Sequence, residues 1–137
     1  MRPSGNLAGV EFVDVPLNTY TDTRETWREI ISESGYWFTK SAIRYFNCRV
    51  AWQTLTPIPG GYLFISSEQQ DAVPGFPATY WQPRLYTLRT WTLENGVGTI
   101  GEFQGHETMA DAKRALKNAK LSADVAEFLN QDNQLTK

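Results

Sequence analysis

The sequence predicts an α+β fold: a small antiparallel meander of three to five strands packed against two or three amphipathic helices. Three observations predict it. Segments rich in aromatic and β-branched residues fall between positions 49 and 103, separated by turn chemistry at Thr56–Gly61 and Glu94–Gly96. Helical periodicity lies before and after that block instead of alternating with the strands, which argues against a doubly wound parallel sheet. Two of the connections within the block have hairpin length, which favours adjacent antiparallel pairing. With 137 residues, 41% hydrophobic, the chain is long and apolar enough to bury one core, so residues 1–137 read as a single domain with a polar tail from about 130.

Val10–Val15 is a short extended segment stopped by Pro16. A helix is predicted over residues 23–34. Asp22 and Glu25 have capping-box spacing, Trp27, Ile30, Ile31 and Ser34 share one face, and Gly35 follows the last turn. Tyr36-Trp37-Phe38 reads as a strand fragment, and Ser41 as the cap of one or two helical turns reaching Asn47. Strands are predicted at Arg49–Leu55, Tyr62–Ser67, Arg84–Leu93 and Val97–Phe103, the last two joined through Asn95-Gly96 in a type I′ turn. Thr108 caps a final helix whose face is Met109, Ala112, Leu116 and Ala119. Leu121-Ser122 interrupts it, and Val125, Phe128 and Leu129 suggest a short second helix.

Most familiar chemistries lack their residues. One Cys and one His exclude an internal disulfide and a zinc site, no acidic loop suits calcium, and no phosphate-binding loop exists, so no metal or cofactor is expected. Gly96, Gly98, Gly101 and Gly105 sit on a predicted strand and its exit, where glycine relieves twist or admits a neighbour. Cys48 with His106 could form a nucleophile and base, against the plainer reading of a small buried thiol and a surface histidine. Glu68 and Asp71 could divide acid and base roles, against the plainer reading of two solvated loop carboxylates. No residue is assigned as catalytic.

Binding has more support. The formal net charge is −2, yet residues 34–93 carry Lys40, Arg44, Arg49, Arg84 and Arg89 against only Glu68 and Asp71. Aromatic rings beside these cations suit a single-stranded nucleic acid or a nucleotide, although aromatic stripes are also what a small sheet packs as its core. On β-strand parity Leu85, Thr87, Arg89 and Trp91 share a face, so Arg89 and Trp91 could form a cation–π pair on an exposed side. The Ala72–Pro83 connection has no charged residue and carries Phe76, Tyr80 and Trp81, residue types that anchor protein partners when exposed and fill a satellite core when folded down. Lys113, Arg114, Lys117 and Lys120 give the last helix a basic face. Absence of a signal-peptide pattern and of a long apolar run leads to the expectation of a cytoplasmic protein with no membrane partner. Homodimerisation through an uncovered sheet edge is compatible with each reading.

Four stretches, SAIRYFNCRV (41–50), GYLFISSE (61–68), RLYTLR (84–89) and GTIGEFQ (98–104), the last followed by the Thr108 helix, together resemble a group of small uncharacterised bacterial, phage and mobile-element proteins. The resemblance covers about residues 36–120 and brings no functional residues with it. It implies a compact accessory protein of bacterial or phage type. By analogy such a protein binds a protein partner and occupies a host or defence factor, here through Phe76, Tyr80 and Trp81.

Overall fold

The computed structural model describes residues 11–16, 21–45, 47–69 and 83–135. Helix α1 (Thr21–Glu33) leads through a 3₁₀ turn (Gly35–Phe38) into helix α2 (Lys40–Tyr45). Four strands follow, β1 (Arg49–Ile58), β2 (Gly61–Gln69), β3 (Arg84–Thr92) and β4 (Gly96–Ile100), and helix α3 (Met109–Leu135) closes the chain. The strands pair antiparallel in the order β1-β2-β3-β4, the meander the sequence predicts.

Central strand β2 is covered on both faces, with every residue from Leu63 to Gln69 buried. On one face Phe64 meets Trp27, Ile30 and Ile31 of α1 together with Phe38 and Trp91. Trp27 is fully buried with its ring edge-to-face on Trp52, Phe64 and Phe38, at centroid distances of 4.8, 5.2 and 6.1 Å. Its indole N–H donates to Trp52 O at 3.0 Å, and the Trp91 indole donates to Ser34 Oγ at 2.8 Å, so neither buried donor is left unpaired. On the other face Ile65 and Leu88 pack against Ala112, flanked by Met109, Leu116 and Ala119 of α3, the helix face expected from the spacing.

Local chemistry shapes the hairpins. Pro59-Gly60 turns β1 into β2, with Gly60 at φ 83°, the value a type II turn needs at its third residue. A Cβ on Gly61 would lie 2.0 Å from Trp91 O, so only glycine lets β3 approach there. The β1–β2 register shifts between Ala51 and Thr56. The Thr54 hydroxyl bridges the irregularity, donating to Ala51 O at 2.6 Å and accepting from Ile65 N–H at 2.9 Å.

Several expectations change. Tyr36–Phe38 is a 3₁₀ turn, and β1 continues through Thr56 and Pro57, because a proline at that edge removes no ladder bond that the sheet needs. The β3–β4 turn places positive φ on Gly96 (68°) and not on Asn95, so it is not type I′. Strand β4 ends at Ile100 because Gly101 (φ 78°) swings the chain out of the sheet. Helix α3 runs unbroken through Leu121-Ser122, a pair with neither glycine nor proline to stop it. Residues 11–15 form only an isolated bridge, Phe12 to Thr39. Helix α1 begins at Thr21, so Asp22 lies within its first turn and not at the cap position expected before residue 23. The Ala72–Gln82 part of the long connection lies outside what the structure describes.

Candidate functional site

The face of the sheet beneath α1 changes character along its length. Tyr62, Phe64, Trp91 and Val97 make its apolar half, and Ser66, Glu68, Thr87, Arg89 and Thr99 its polar half, in a register that pairs Phe64 with Arg89, Ser66 with Thr87 and Arg89 with Thr99. Glu68 is 1% exposed and Arg89 is 8% exposed. Arg89 Nη2 meets Glu68 Oε2 at 3.2 Å, its Nε donates to Ser66 Oγ at 2.9 Å, and its Nη1 donates to Thr99 Oγ1. Ser66 Oγ donates in turn to Glu68 Oε2 at 2.7 Å, and Thr87 Oγ1 donates to Glu68 Oε1 at 2.8 Å. A buried ion pair persists only when hydrogen bonds replace its lost hydration, and here three hydroxyls do so.

Over this floor stands a cavity of about 510 Å³, lined by Tyr36, Trp37, Ser41, Ala42, Ile43, Cys48, Glu68, Arg89 and Phe103. That volume is within the range of sites for drug-sized ligands. The Arg89 guanidinium carbon lies 5.3 Å from the Trp37 ring centroid and 5.6 Å from that of Phe103, close enough for cation–π attraction to both. Tyr36 and Phe103 are 57% and 43% exposed, a ring at the rim from each side.

Each wall has a local cause. Asn47 takes a left-handed conformation (φ 50°), which asparagine tolerates, and ends α2. Its amide donates to Gln69 Oε1, and Cys48 N–H donates to Ile43 O at 2.8 Å, which brings Cys48 in beside α2. On the opposite side Gln104 (φ 58°) turns the chain, its N–H donating to Thr87 Oγ1 at 2.8 Å and its side chain to Gln69 O at 3.0 Å. Thr87 therefore ties the Phe103 turn to the carboxylate of Glu68.

Cys48 Sγ lies 3.7 Å from Glu68 Oε2. Burial, and then the Glu68 charge, push the thiol up from 9.0 to about 12. Its hydrogen bond goes to Glu68, while the backbone of His106 pairs with Tyr86. Glu68, expected in a solvated loop, belongs to β2, because the pairing of β2 with β3 extends to Gln69–Arg84. Asp71 lies outside the described residues. No group of three His, Cys, Asp or Glu among the described residues is placed to hold a metal ion.

The five cations named from the sequence separate. Lys40, Arg44 and Arg49 are exposed, and Lys40 pairs with Glu11 at 3.1 Å. Arg84 donates to Ser67 O, Ser67 Oγ and Asn47 O at 3.0, 2.6 and 2.8 Å. Burial, then the Arg49 charge, draw its guanidinium below the usual value. Arg89 and Trp91 do share a face, but that face is buried, and the rings against Arg89 are Trp37 and Phe103. Phe76, Tyr80 and Trp81 lie outside the described residues. β2 ends at Gln69 and β3 begins at Arg84, the end of the sheet that holds Glu68. The sequence reading missed Phe103 and the Ser66–Thr87–Thr99 hydroxyls as parts of one site. The signal was there in Phe64/Ser66/Glu68 alternation facing Thr87/Arg89 alternation, legible only once β2 is known to be central.

Among the described residues no helix is long and apolar enough to cross a membrane. Neither the curated proteins nor the solved structures gave a match to this chain. A family of unknown function, DUF7447, matches residues 23–117, from α1 into α3 and including every described residue that lines the pocket. The chain belongs to that family.

Proposed function

We propose that this protein is a non-catalytic binding protein and that the pocket over the Glu68–Arg89 pair is where it takes its ligand, an uncharged, planar and largely apolar group with one polar edge. The observation that carries this reading is the combination of aromatic walls with a floor whose charges cancel. An apolar cavity over a neutral floor disfavours an ionic ligand, which loses hydration there without a counter-charge. The three Arg89 bonds use one N–H on each guanidinium nitrogen and leave two of the five such groups to meet an acceptor on the ligand. The Cys48 thiol supports a binding role over a nucleophilic one, since burial and the neighbouring Glu68 charge favour the neutral thiol over the nucleophilic thiolate.

Titration with N-phenyl-1-naphthylamine, a neutral fluorescent probe, tests the proposal. The expected result is saturable one-to-one binding that disappears in Ala42→Trp, which fills the cavity from α2. An absence of saturable binding, or binding that survives Ala42→Trp, contradicts it.

A second reading has the bound group arrive as part of a protein partner, as for an accessory protein that occupies a host or defence factor. It is favoured by Gln69 and Arg84, strand residues that flank Phe76, Tyr80 and Trp81 in the sequence and lie at the pocket end of the sheet. Combined Phe76→Ala, Tyr80→Ala and Trp81→Ala is expected to abolish partner capture while probe binding persists. Capture at wild-type strength by that variant rejects the partner reading and leaves the pocket reading intact. The nucleotide alternative rests on Arg44 and Lys40, exposed on the helix that supplies Ser41, Ala42 and Ile43 to the wall. It predicts tighter, salt-sensitive binding of adenosine monophosphate than of adenosine.

A further inference from the structure

Pairing along β3 is interrupted beside the pocket. Leu88 pairs with Ile100 and Tyr86 bridges His106, so residues 101–105 all stand opposite the single residue Thr87. Extra residues in an antiparallel ladder re-aim side chains, and they recur next to functional sites. Here the excursion delivers Phe103 to the pocket, with its ring centroid 5.6 Å from the Arg89 guanidinium carbon. Of the five residues, Gly101, Glu102, Phe103 and Gly105 are exposed and only Gln104 is half-buried. Gln104 is not among the described residues that line the pocket.

The φ of Gln104, 58°, is left-handed, a conformation that costs free energy for a residue of this size. Two hydrogen bonds hold it there. Its N–H donates to Thr87 Oγ1 at 2.8 Å and its side-chain amide to Gln69 O at 3.0 Å. Both acceptors belong to the frame of the pocket. Thr87 Oγ1 donates onward to Glu68 Oε1 at 2.8 Å, and the Gln69 side chain accepts from Asn47, the residue that turns the chain toward Cys48 on the opposite wall. A strained residue bonded to the floor of a site, next in sequence to the ring that walls it, has the construction of a ligand clamp. We propose that Gln104 is a positioning residue of the pocket. It holds Phe103 over Arg89 and thereby sets how long a bound group stays, without contacting that group itself. The proposal rests on the pocket being the ligand site.

Stopped-flow binding of N-phenyl-1-naphthylamine, together with the Arg89 Nε–H resonance of the probe-free protein, tests this in Gln104→Glu, Gln104→Gly, Phe103→Ala and the combined Gln104→Gly, Phe103→Ala variant. Gln104→Glu keeps the size of the side chain and removes its donor to Gln69 O. Gln104→Gly removes the side chain and suits the left-handed backbone, so it folds without strain at that position. Both are expected to release the probe about tenfold faster, the equivalent of one net hydrogen bond, with association near the wild-type rate. In both, the probe-free Arg89 resonance is expected to move toward its position in Phe103→Ala. In the Phe103→Ala background Gln104→Gly is expected to change neither quantity, because the ring through which Gln104 acts is gone. Wild-type release from both Gln104 variants, or a further tenfold loss in the Phe103→Ala background, overturns the positioning role and leaves the pocket reading intact. A wild type that binds no probe counts against the pocket reading, and an Arg89 resonance unmoved in both Gln104 variants then overturns this proposal independently.

Discussion

Glu68 and Arg89 show how a charge pair is kept inside a small domain. Glu68 accepts from Ser66, Thr87 and Arg89, and Arg89 donates to Ser66, Thr99 and Glu68, so removing either charge strands the other together with two hydroxyl partners. Glu68→Ala or Arg89→Ala alone is expected to cost about 3–5 kcal/mol, the usual effect of leaving one buried charge unpaired. The double variant should cost clearly less than the sum of the two. Urea denaturation of the four proteins checks this, and strictly additive losses would show that the pair does not act as a unit. Cys48 carries the pH signature. The unfolded thiol loses its proton near pH 9 and the folded one near 12. Between those values the folded state holds a proton that the unfolded chain has lost. Stability contributed by the buried neutral thiol is therefore complete below pH 9 and is lost as pH rises toward 12, by roughly 1 kcal/mol per pH unit. Stability measured against pH in Cys48→Ala should lack this component above pH 9; parallel curves for the two proteins would contradict it.

At the level of elements, the sequence spoke most clearly where period and punctuation agreed. Helix α1 was legible because Trp27, Ile30 and Ile31 keep one face and Gly35 follows with φ 66°. The β1–β2 and β3–β4 hairpins were legible from Pro59-Gly60 and Asn95-Gly96, although the backbone of the second turn differs from the expected type. What remained hidden depended on partners far away in the chain. Whether β2 stops at Ser67 or reaches Gln69 is decided by Arg84 and Leu85 across the ladder, not by residues near position 68. The burial of Arg89 needed Trp37 from the 3₁₀ turn and Phe103 from the exit of β4, elements separated from it by 52 and 14 positions. In α3 the change at Leu121 marks the point where the helix leaves the sheet, and local pattern alone does not distinguish that from a break.

For the whole molecule, one sheet serves two cores and one site. Its two faces are covered by α1 and by the first half of α3, which fixes β2 and β3 rigidly enough to hold a charged pair under a cavity. Sheet topology then explains why the site is assembled from distant segments: the 3₁₀ turn, α2, the start of β1, the end of β2, β3 and the turn after β4 meet at one end of the meander. The central claim is that a neutral planar group binds there. Amide and side-chain NMR of the protein titrated with N-phenyl-1-naphthylamine tests it most directly. The account predicts perturbation concentrated at the Trp37 indole N–H and the Arg89 Nε–H, with the Trp27 and Trp91 indoles, tied to Trp52 O and Ser34 Oγ, left in place. Perturbations centred on α3 or spread over all the indoles, with Trp37 and Arg89 unmoved, would contradict it.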